Sequence, residues 1–385
     1  MRKLSPALAL ALVAAGLLAA SAVSGHRPPS QVFNSAAESG TLQAKLDRAF
    51  ADAAKSSPGR AFWIGYSVER LQGEHSHIGS FDSGHRSRDL TVADVLAGKS
   101  VPASSDATAG DVREAAAAAL DRIDKQGKPE KMVLKELGFF LKYGAGKAPA
   151  LTEVGMSHLD LSFDFEGAPL YWLGKMTEDS SVGLIAALYD RNPGEKVGED
   201  LVAAAGCHGS PKLVLPFLER VLSGSGPDEL RKDAAFWIGQ QNDAEGLRLL
   251  SRAARSDRSE EVREGAVFAI SEVELPAAAD ELIALARGAE LRDVRKQAVF
   301  WLGQMASEKS GKVLEEVALK DGDLEVQEHA LFALSELPDN GGLDALIKLA
   351  KTHPDPRLRK KAVFWLGESD DPRALDAIVA IIKGK

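Results

Sequence analysis

His75, His77 and His85 fall in the stretch Glu74-His75-Ser76-His77-Ile78-Gly79-Ser80-Phe81-Asp82-Ser83-Gly84-His85, the strongest candidate for metal chemistry in the chain. In an extended 74–78 the first two imidazoles point to one face. His85 could return as a third nitrogen donor with Asp82 beside it, a set that would suit zinc. The Gly and Ser around them leave that geometry unfixed, and no fourth ligand follows at regular spacing. The stretch therefore reads as a polar loop, and no metal or other cofactor is expected. Cys207-His208 could supply a thiol nucleophile beside an imidazole. It sits between Gly206 and Gly209 with no Asn or Asp partner, and Cys207, the sole thiol, reads as a small buried apolar residue. Arg231, Arg263, Arg295 and Arg359 recur along the second half of the chain. They could form a cationic stripe for acidic ligands, or a structural ladder at helix starts that bonds acids and carbonyls of neighbouring layers. The formal charge of −9 favours the ladder. A HExxH helix, a GxxxxGK[ST] loop and a GxSxG elbow are all absent from the sequence.

The elements that carry the Arg residues are set by a repeat. Phe236, Phe268, Phe300, Phe332 and Phe364 stand 32 residues apart. The register holds at Ala234, Ala266, Ala298, Ala330 and Ala362, and at Ile238, Ile270, Leu302, Leu334 and Leu366. A period of this size means stacked supersecondary units. A second apolar column, Leu250, Leu282, Leu314, Leu346 and Ile378, keeps the same step behind breakers such as Asn242-Asp243 and Asp371-Pro372. Two amphipathic helices joined by a short turn make an antiparallel pair, and stacking supplies the core one pair lacks.

One column alternates: Trp237, Ala269, Trp301, Ala333, Trp365, with Gly239, Ser271, Gly303, Ser335 and Gly367 two residues on. The true unit is thus a double repeat of 64 residues. Complementary packing, a large side chain facing a small one on the next layer, is the expected reason. A ligand-binding Trp ladder is the rival. Tyr171-Trp172-Leu173-Gly174 restates the phrase and is read as a first repeat helix, with Asp179–Tyr189 as its partner. Residues 194–222 are a degenerate repeat in which Ala203-Ala204-Ala205-Gly206 replaces the aromatics. Counting these gives about seven helix pairs over 167–385, with Trp172, Trp237, Phe268, Trp301, Phe332 and Trp365 as the repeat core.

Before the array the text is mixed. Residues 1–25 have the anatomy of a signal peptide: Arg2-Lys3, an apolar run from Ala7 to Ala20, then small residues, with cleavage after Ala22 or Gly25. Export to the periplasm or outside the cell is the expectation, with no stable membrane insertion after cleavage. Residues 26–40, with Pro28-Pro29, read as a disordered linker. Residues 41–166 read as a small α+β domain: a helix over Thr41–Ser56, a strand over 61–70, an Ala-rich helix over Asp111–Gln126, a strand over Lys131–Tyr143, and a strand through Leu159, Leu161, Phe163 and Phe165. Phe62-Trp63-Ile64-Gly65 recurs verbatim as Phe236-Trp237-Ile238-Gly239, so a stray repeat helix competes with the strand there. With 45% hydrophobic and 27% charged residues the composition is that of globular domains. The acidic balance argues against nucleic acid, whose binders cluster Lys and Arg to release counterions.

The phrase Asp293-Val294-Arg295-Lys296-Gln297-Ala298-Val299-Phe300-Trp301-Leu302-Gly303 resembles the HEAT repeat, in particular the shorter bacterial form first associated with phycobilisome lyases. Val262-Arg263, Val294-Arg295, Leu358-Arg359 and Leu230-Arg231 match the start of that family's first helix, while Gln327 replaces the Arg in one repeat. The resemblance covers about 168–385 and implies an α-solenoid. The whole arrangement resembles exported bacterial HEAT-repeat proteins of no assigned activity. Deoxyhypusine hydroxylases share the architecture but hold iron with His-Glu pairs, a dipeptide missing here. Phycobilin lyases act in the cytoplasm on a tetrapyrrole, whereas this chain carries an export signal. The expectation is a non-enzymatic scaffold that binds a protein partner through second helices and turns. The alternative is a metal-binding or enzymatic domain at 41–166 carried on the repeats.

Overall fold

A computed structural model describes residues 26–74, 76, 78, 90–99, 131–192, 196–305 and 308–383. The leader, His75, His77, His85 and the proposed helix over Asp111–Gln126 lie outside the described residues. The chain divides into two compact units between Lys175 and Met176.

The first unit is built on a five-stranded sheet in the order β1-β5-β2-β3-β4. Its strands are β1 (Val32–Asn34), β2 (Phe62–Gly73), β3 (Met132–Tyr143), β4 (Leu151–His158) and β5 (Leu170–Met176). β2 and β3 form a long antiparallel pair from Phe62↔Tyr143 to Gly73↔Met132. β4 continues the sheet antiparallel to β3, with a register shift at Lys142/Tyr143. Helix α1 (Leu42–Ser56), capped by the Thr41 hydroxyl, buries Leu42, Leu46, Ala49 and Ala53. Its Phe50 ring meets Phe62 and Tyr143 edge-on. A second cluster gathers Trp63, Val92 of the short helix α2 (Val92–Leu96), Phe140, Phe165, Leu170 and Trp172.

Three expectations change here. Residues 32–34 are not a loose linker: β1 pairs in parallel with β5, Val32↔Leu170 to Asn34↔Trp172. Trp172 is not a repeat residue, and Tyr171-Trp172-Leu173-Gly174 is strand, not helix. Gly174 takes φ +85°, and a Cβ there would lie 2.8 Å from Ala36, so neither helical geometry nor a side chain fits. Residues 159–165, despite their alternation, form no strand. They make the isolated bridge Thr91↔Ser162, the Leu159 amide donates to the Glu136 carbonyl of β3 at 3.2 Å, and the Phe165 carbonyl accepts from the Trp63 indole at 3.0 Å. The segment folds back instead, and Phe163 occupies the space a Cβ on Gly155 would need. Burial does not follow its period-2 pattern: Ser162 and Phe165 are buried, while Leu159, Leu161 and Phe163 are half-buried.

The second unit is wholly helical among the described residues. α3 (Glu178–Arg191) leads, and six pairs follow: α4 (Lys196–Gly206) with α5 (Pro211–Leu222), α6 (Asp228–Gln240) with α7 (Ala244–Ser256), α8 (Glu260–Ser271) with α9 (Pro276–Gly288), α10 (Arg292–Gln304) with α11 (Glu308–Lys320), α12 (Leu324–Glu336) with α13 (Leu343–Thr352), and α14 (Pro356–Gly367) with α15 (Pro372–Ile382). The expected seventh pair lacks its first helix, because Tyr171–Gly174 lies in β5. The pairs form an α-solenoid. First helices bury columns such as Val294, Ala298, Val299 and Leu302, and four of the second helices bury Leu250, Leu282, Leu314 and Leu346, while Ile378 on α15 is half-buried. Short breakers and side-chain caps, Asp243 to the amide of Glu245 and Asp323 to the amide of Glu325, start the helices.

Candidate interaction surface

The repeat aromatics lie on a stripe of the first helices that is half-buried except at the exposed Phe364, beside rather than inside the aliphatic core. Two kinds of step between layers alternate along it. At the first kind, the Gly that follows the Trp meets the Ala of the next layer. A Cβ on Gly239 would stand 2.7 Å from the Ala269 carbonyl oxygen, and one on Gly303 would stand 2.9 Å from the Ala333 methyl. These steps are tight because nothing larger than hydrogen fits. At the second kind, the Trp leans back onto the preceding layer. Trp301 lies against Phe268 with centroids 5.0 Å apart, and Trp365 against Phe332 at 5.1 Å. Trp237 covers the Cβ position of Gly206, whose plainer sequence is the seat for that indole. The packing is thus small on small at one step and Trp on Phe, or Trp on Gly, at the next. The large-against-small apposition expected from the alternation occurs at Trp237 on Gly206, while Trp301 and Trp365 each lie against a Phe. The Nε1 atoms of Trp301 and Trp365 are enclosed without a hydrogen-bond partner, so the indoles serve these contacts through their bulk.

The Arg column ties the same layers. Arg231 is fully buried; its guanidinium donates to the Leu222 carbonyl at 3.0 Å, to Asp228 at 3.0 Å and to Asp257 ahead of the next layer. Arg263 donates to Asp293 at 2.7 Å and to the Asp257 carbonyl at 2.9 Å. Arg295 grips Asp321 at 2.8 and 3.3 Å and the Ala289 carbonyl at 2.8 Å. Gln327 keeps a carbonyl contact, to Asp321 at 2.8 Å. Arg359 donates to the carbonyls of His353 and Pro354 at 2.6 and 3.1 Å. A guanidinium forked between carboxylate and carbonyls is well satisfied when buried.

Neither His208 nor His158 is poised for chemistry. His208 is buried, with Nδ1 2.9 Å from the Ala204 carbonyl and Nε2 2.8 Å from the Ser181 hydroxyl. The carbonyl only accepts, so Nδ1 carries a proton towards it. The imidazole closes the end of α4, and Cys207 beside it is buried. His158 accepts from the Ile78 amide at Nδ1 (2.8 Å) and faces the Gln72 amide oxygen at Nε2 (3.0 Å). It fastens the edge of the sheet. No metal-binding cluster occurs among the described residues.

An open cleft of about 510 Å³ lies on the aromatic stripe, where α8, α10 and α12 meet. Phe300 forms part of its wall, with Glu260, Glu264, Arg292, Lys296 and His329 around it. Lys296 and Arg292 reach Glu325 at 3.4 and 3.5 Å. Burial and the nearby Lys296 ammonium hold His329 below its ordinary pKa. The cleft offers an aromatic wall with charges of both signs, a character suited to a peptide or side chain of a protein. Sequence reasoning passed over Glu264 and His329. The column of His329 holds a different residue in each repeat, Asp233, Gly265, Gln297 and Lys361, and so carried no signal.

The HEAT-repeat family model matches residues 214–303, 279–353 and 311–385. The matched segment, in the second unit, consists of HEAT repeats. Among solved structures it is similar to the complex of CpcE and CpcF of phycocyanin lyase from Nostoc sp., at 20% identity and TM-score 0.29, covering 50% of this chain and 79% of that one. It is also similar to human deoxyhypusine hydroxylase in complex with glycerol, at 16% identity and TM-score 0.24, covering 52% of this chain and 84% of the other. No curated protein matches the chain by sequence. Among the described residues no helix is long and apolar enough to cross a membrane.

Proposed function

We propose that the protein is an exported scaffold without catalytic activity, which binds a protein partner on its solenoid. The observation that carries the binding role is the first-helix cleft around Phe300, an aromatic wall ringed by Glu264, Lys296 and His329. HEAT arrays suit this work because a stack of layers extends a surface without closing a core over it. Export rests on the leader, Arg2-Lys3 followed by the apolar run to Ala20. The bound partner would be a polypeptide with an apolar anchor for Phe300 and charges to match Lys296 and Glu264.

The test places a photo-crosslinking amino acid at Glu264 and, separately, at the exposed second-helix residue Arg248. Both proteins are expressed in the native host, and the envelope fraction is irradiated. A discrete adduct from position 264, absent from position 248 and lost on Phe300→Asp, is expected. Equal adducts from both positions, or none from either, would remove the cleft as the binding surface. Recovery of the chain in the cytosol with residues 1–25 intact would remove export.

A further inference from the structure

The Phe300 cleft is lined by charges of both signs, but only one sign is left unanswered. On α10, Lys296 reaches Glu325 at 3.4 Å, and Arg292 reaches Glu325 at 3.5 Å and Asp323 at 3.6 Å. Both cations are thus drawn towards α12. Asp293 is held by Arg263 of α8 at 2.7 Å. Four polar side chains of the lining have no partner among the described residues: Glu260 and Glu264 on α8, Gln297 on α10 and His329 on α12. Glu260 and Glu264 stand one turn apart on one face of their helix. Lys232, the cation one layer back, is taken by Glu229 at 2.9 Å, which leaves Glu264 unmatched. All four groups can accept a hydrogen bond: two carboxylates, an amide oxygen and an imidazole nitrogen. Burial and Lys296 keep the proton off that imidazole. The half-buried Phe300 supplies the aromatic wall of the same 510 Å³ space.

We propose that the cleft is a receptor for an arginine side chain of the partner polypeptide, with the guanidinium forked between Glu260 and Glu264 and the stem laid along Phe300. Arginine carries five N–H donors and no acceptor, the complement of a lining whose free groups all accept. Its planar cation stacks on an aromatic face and forks across carboxylates, whereas the lysine ammonium is a compact, strongly hydrated point charge. The methylene stem gives the apolar contact that Phe300 requires. A carboxylate from the partner would meet two like charges here, because the cations that could hold it are engaged on α12. A wholly apolar side chain would cover the acceptors and leave them unpaired. This occupant presupposes that the cleft binds a polypeptide, and it narrows that partner to one presenting a cation at this point.

A synthetic array of capped heptapeptides, with arginine, lysine, citrulline or leucine at the centre and randomised flanks, is probed with the purified full chain. Arginine-centred peptides should be retained about tenfold or more above their citrulline, lysine and leucine counterparts, since citrulline keeps the shape and loses the charge. The isosteric pair Glu260→Gln and Glu264→Gln, shown to melt like the parent chain, should abolish that preference. Phe300→Ala should weaken retention several-fold, and added salt should do the same. Citrulline or lysine peptides retained as well as arginine ones overturn the proposal, as does a preference untouched by the two Gln substitutions. If retention in those cases still falls with Phe300→Ala, the cleft stands as the binding surface with another occupant. If no peptide of the array depends on Phe300, the cleft is lost together with the arginine.

Discussion

The α6/α8 and α8/α10 steps join the same kind of helix pair, yet they are held by different means. In the first, Gly239 lets Ala269 approach until a methyl would collide with backbone. In the second, Trp301 fills the space against Phe268. The lesson is that a 32-residue period can conceal a 64-residue mechanical unit. Backbone proximity holds one interface and side-chain volume holds the other, so the same substitution acts oppositely at the two.

The comparison is broken most severely by deletion. Removing the single repeat Leu230–Glu261 places Ala269 where Gly206 now receives Trp237, leaving the seat unfilled. That protein should lose cooperative melting and gain protease cleavage within the array. Removing Leu230–Asp293 brings Trp301 to Gly206 and should leave a shorter folded solenoid. Circular dichroism melts with limited proteolysis check both, and equal tolerance would refute the double unit.

Next in size is Trp301→Ala, which empties the wide step at a cost of about 3 kcal/mol, the low end for a large aromatic because the ring is half-buried. Trp301→Phe should cost only about 1 kcal/mol, since the indole nitrogen has no hydrogen bond to lose. Urea unfolding of the two variants measures the gap. A glycine pair gives a finer contrast. Gly303→Ala forces a methyl onto Ala333 and should destabilise by about 1–3 kcal/mol. Gly367→Ala meets nothing within 4 Å and should stabilise its helix by about 0.5 kcal/mol. Changes of the same sign would undo the account of the tight step.

A pH-dependent contrast concerns Asp233 on α6, whose carboxyl is pushed up to about 6 by burial and then by Glu199 and Glu229. The folded state binds the proton more tightly than the unfolded chain, so stability from this group is present at low pH and is lost as pH rises from about 4 through 6. After discounting for its partial exposure, Asp233→Asn should stabilise the protein by about 1 kcal/mol at pH 7 and by nothing at pH 4. Paired melts at the two pH values measure it.

The repeat columns were legible because each buried position recurs in register, and a 32-residue step admits few architectures. The same tetrapeptide shows where that reading ends. Phe62-Trp63-Ile64-Gly65 is strand in β2, while Phe236-Trp237-Ile238-Gly239 is helix in α6. Four residues carry no period, and the decision belongs to what they pair with: β3 in one case, a neighbouring layer in the other. Tyr171-Trp172-Leu173-Gly174 misled for this reason, since the φ of Gly174 and the partner Asn34 are set by distant chain. The Arg ladder was readable from its column. Its alternation between Asp257 and Asp321 on one hand and Asp293 on the other was not, because partner choice depends on the step. The cleft was hidden because its lining is drawn from three separate helices, α8, α10 and α12, and no single repeat carries it.

The pairing of β1 with β5 has a consequence for the order in which the molecule acquires its structure. Ser35 bonds the Trp172 carbonyl across 137 residues, whereas neighbouring layers of the array join across about one repeat. Closing the longer loop costs on the order of 1 kcal/mol more in chain entropy, and contacts so distant slow the search for the native pairing. The first strand must wait until residue 172 has been made. Each helix pair can dock as soon as its neighbour exists. The end of the chain made first is therefore among the last parts of its unit to settle.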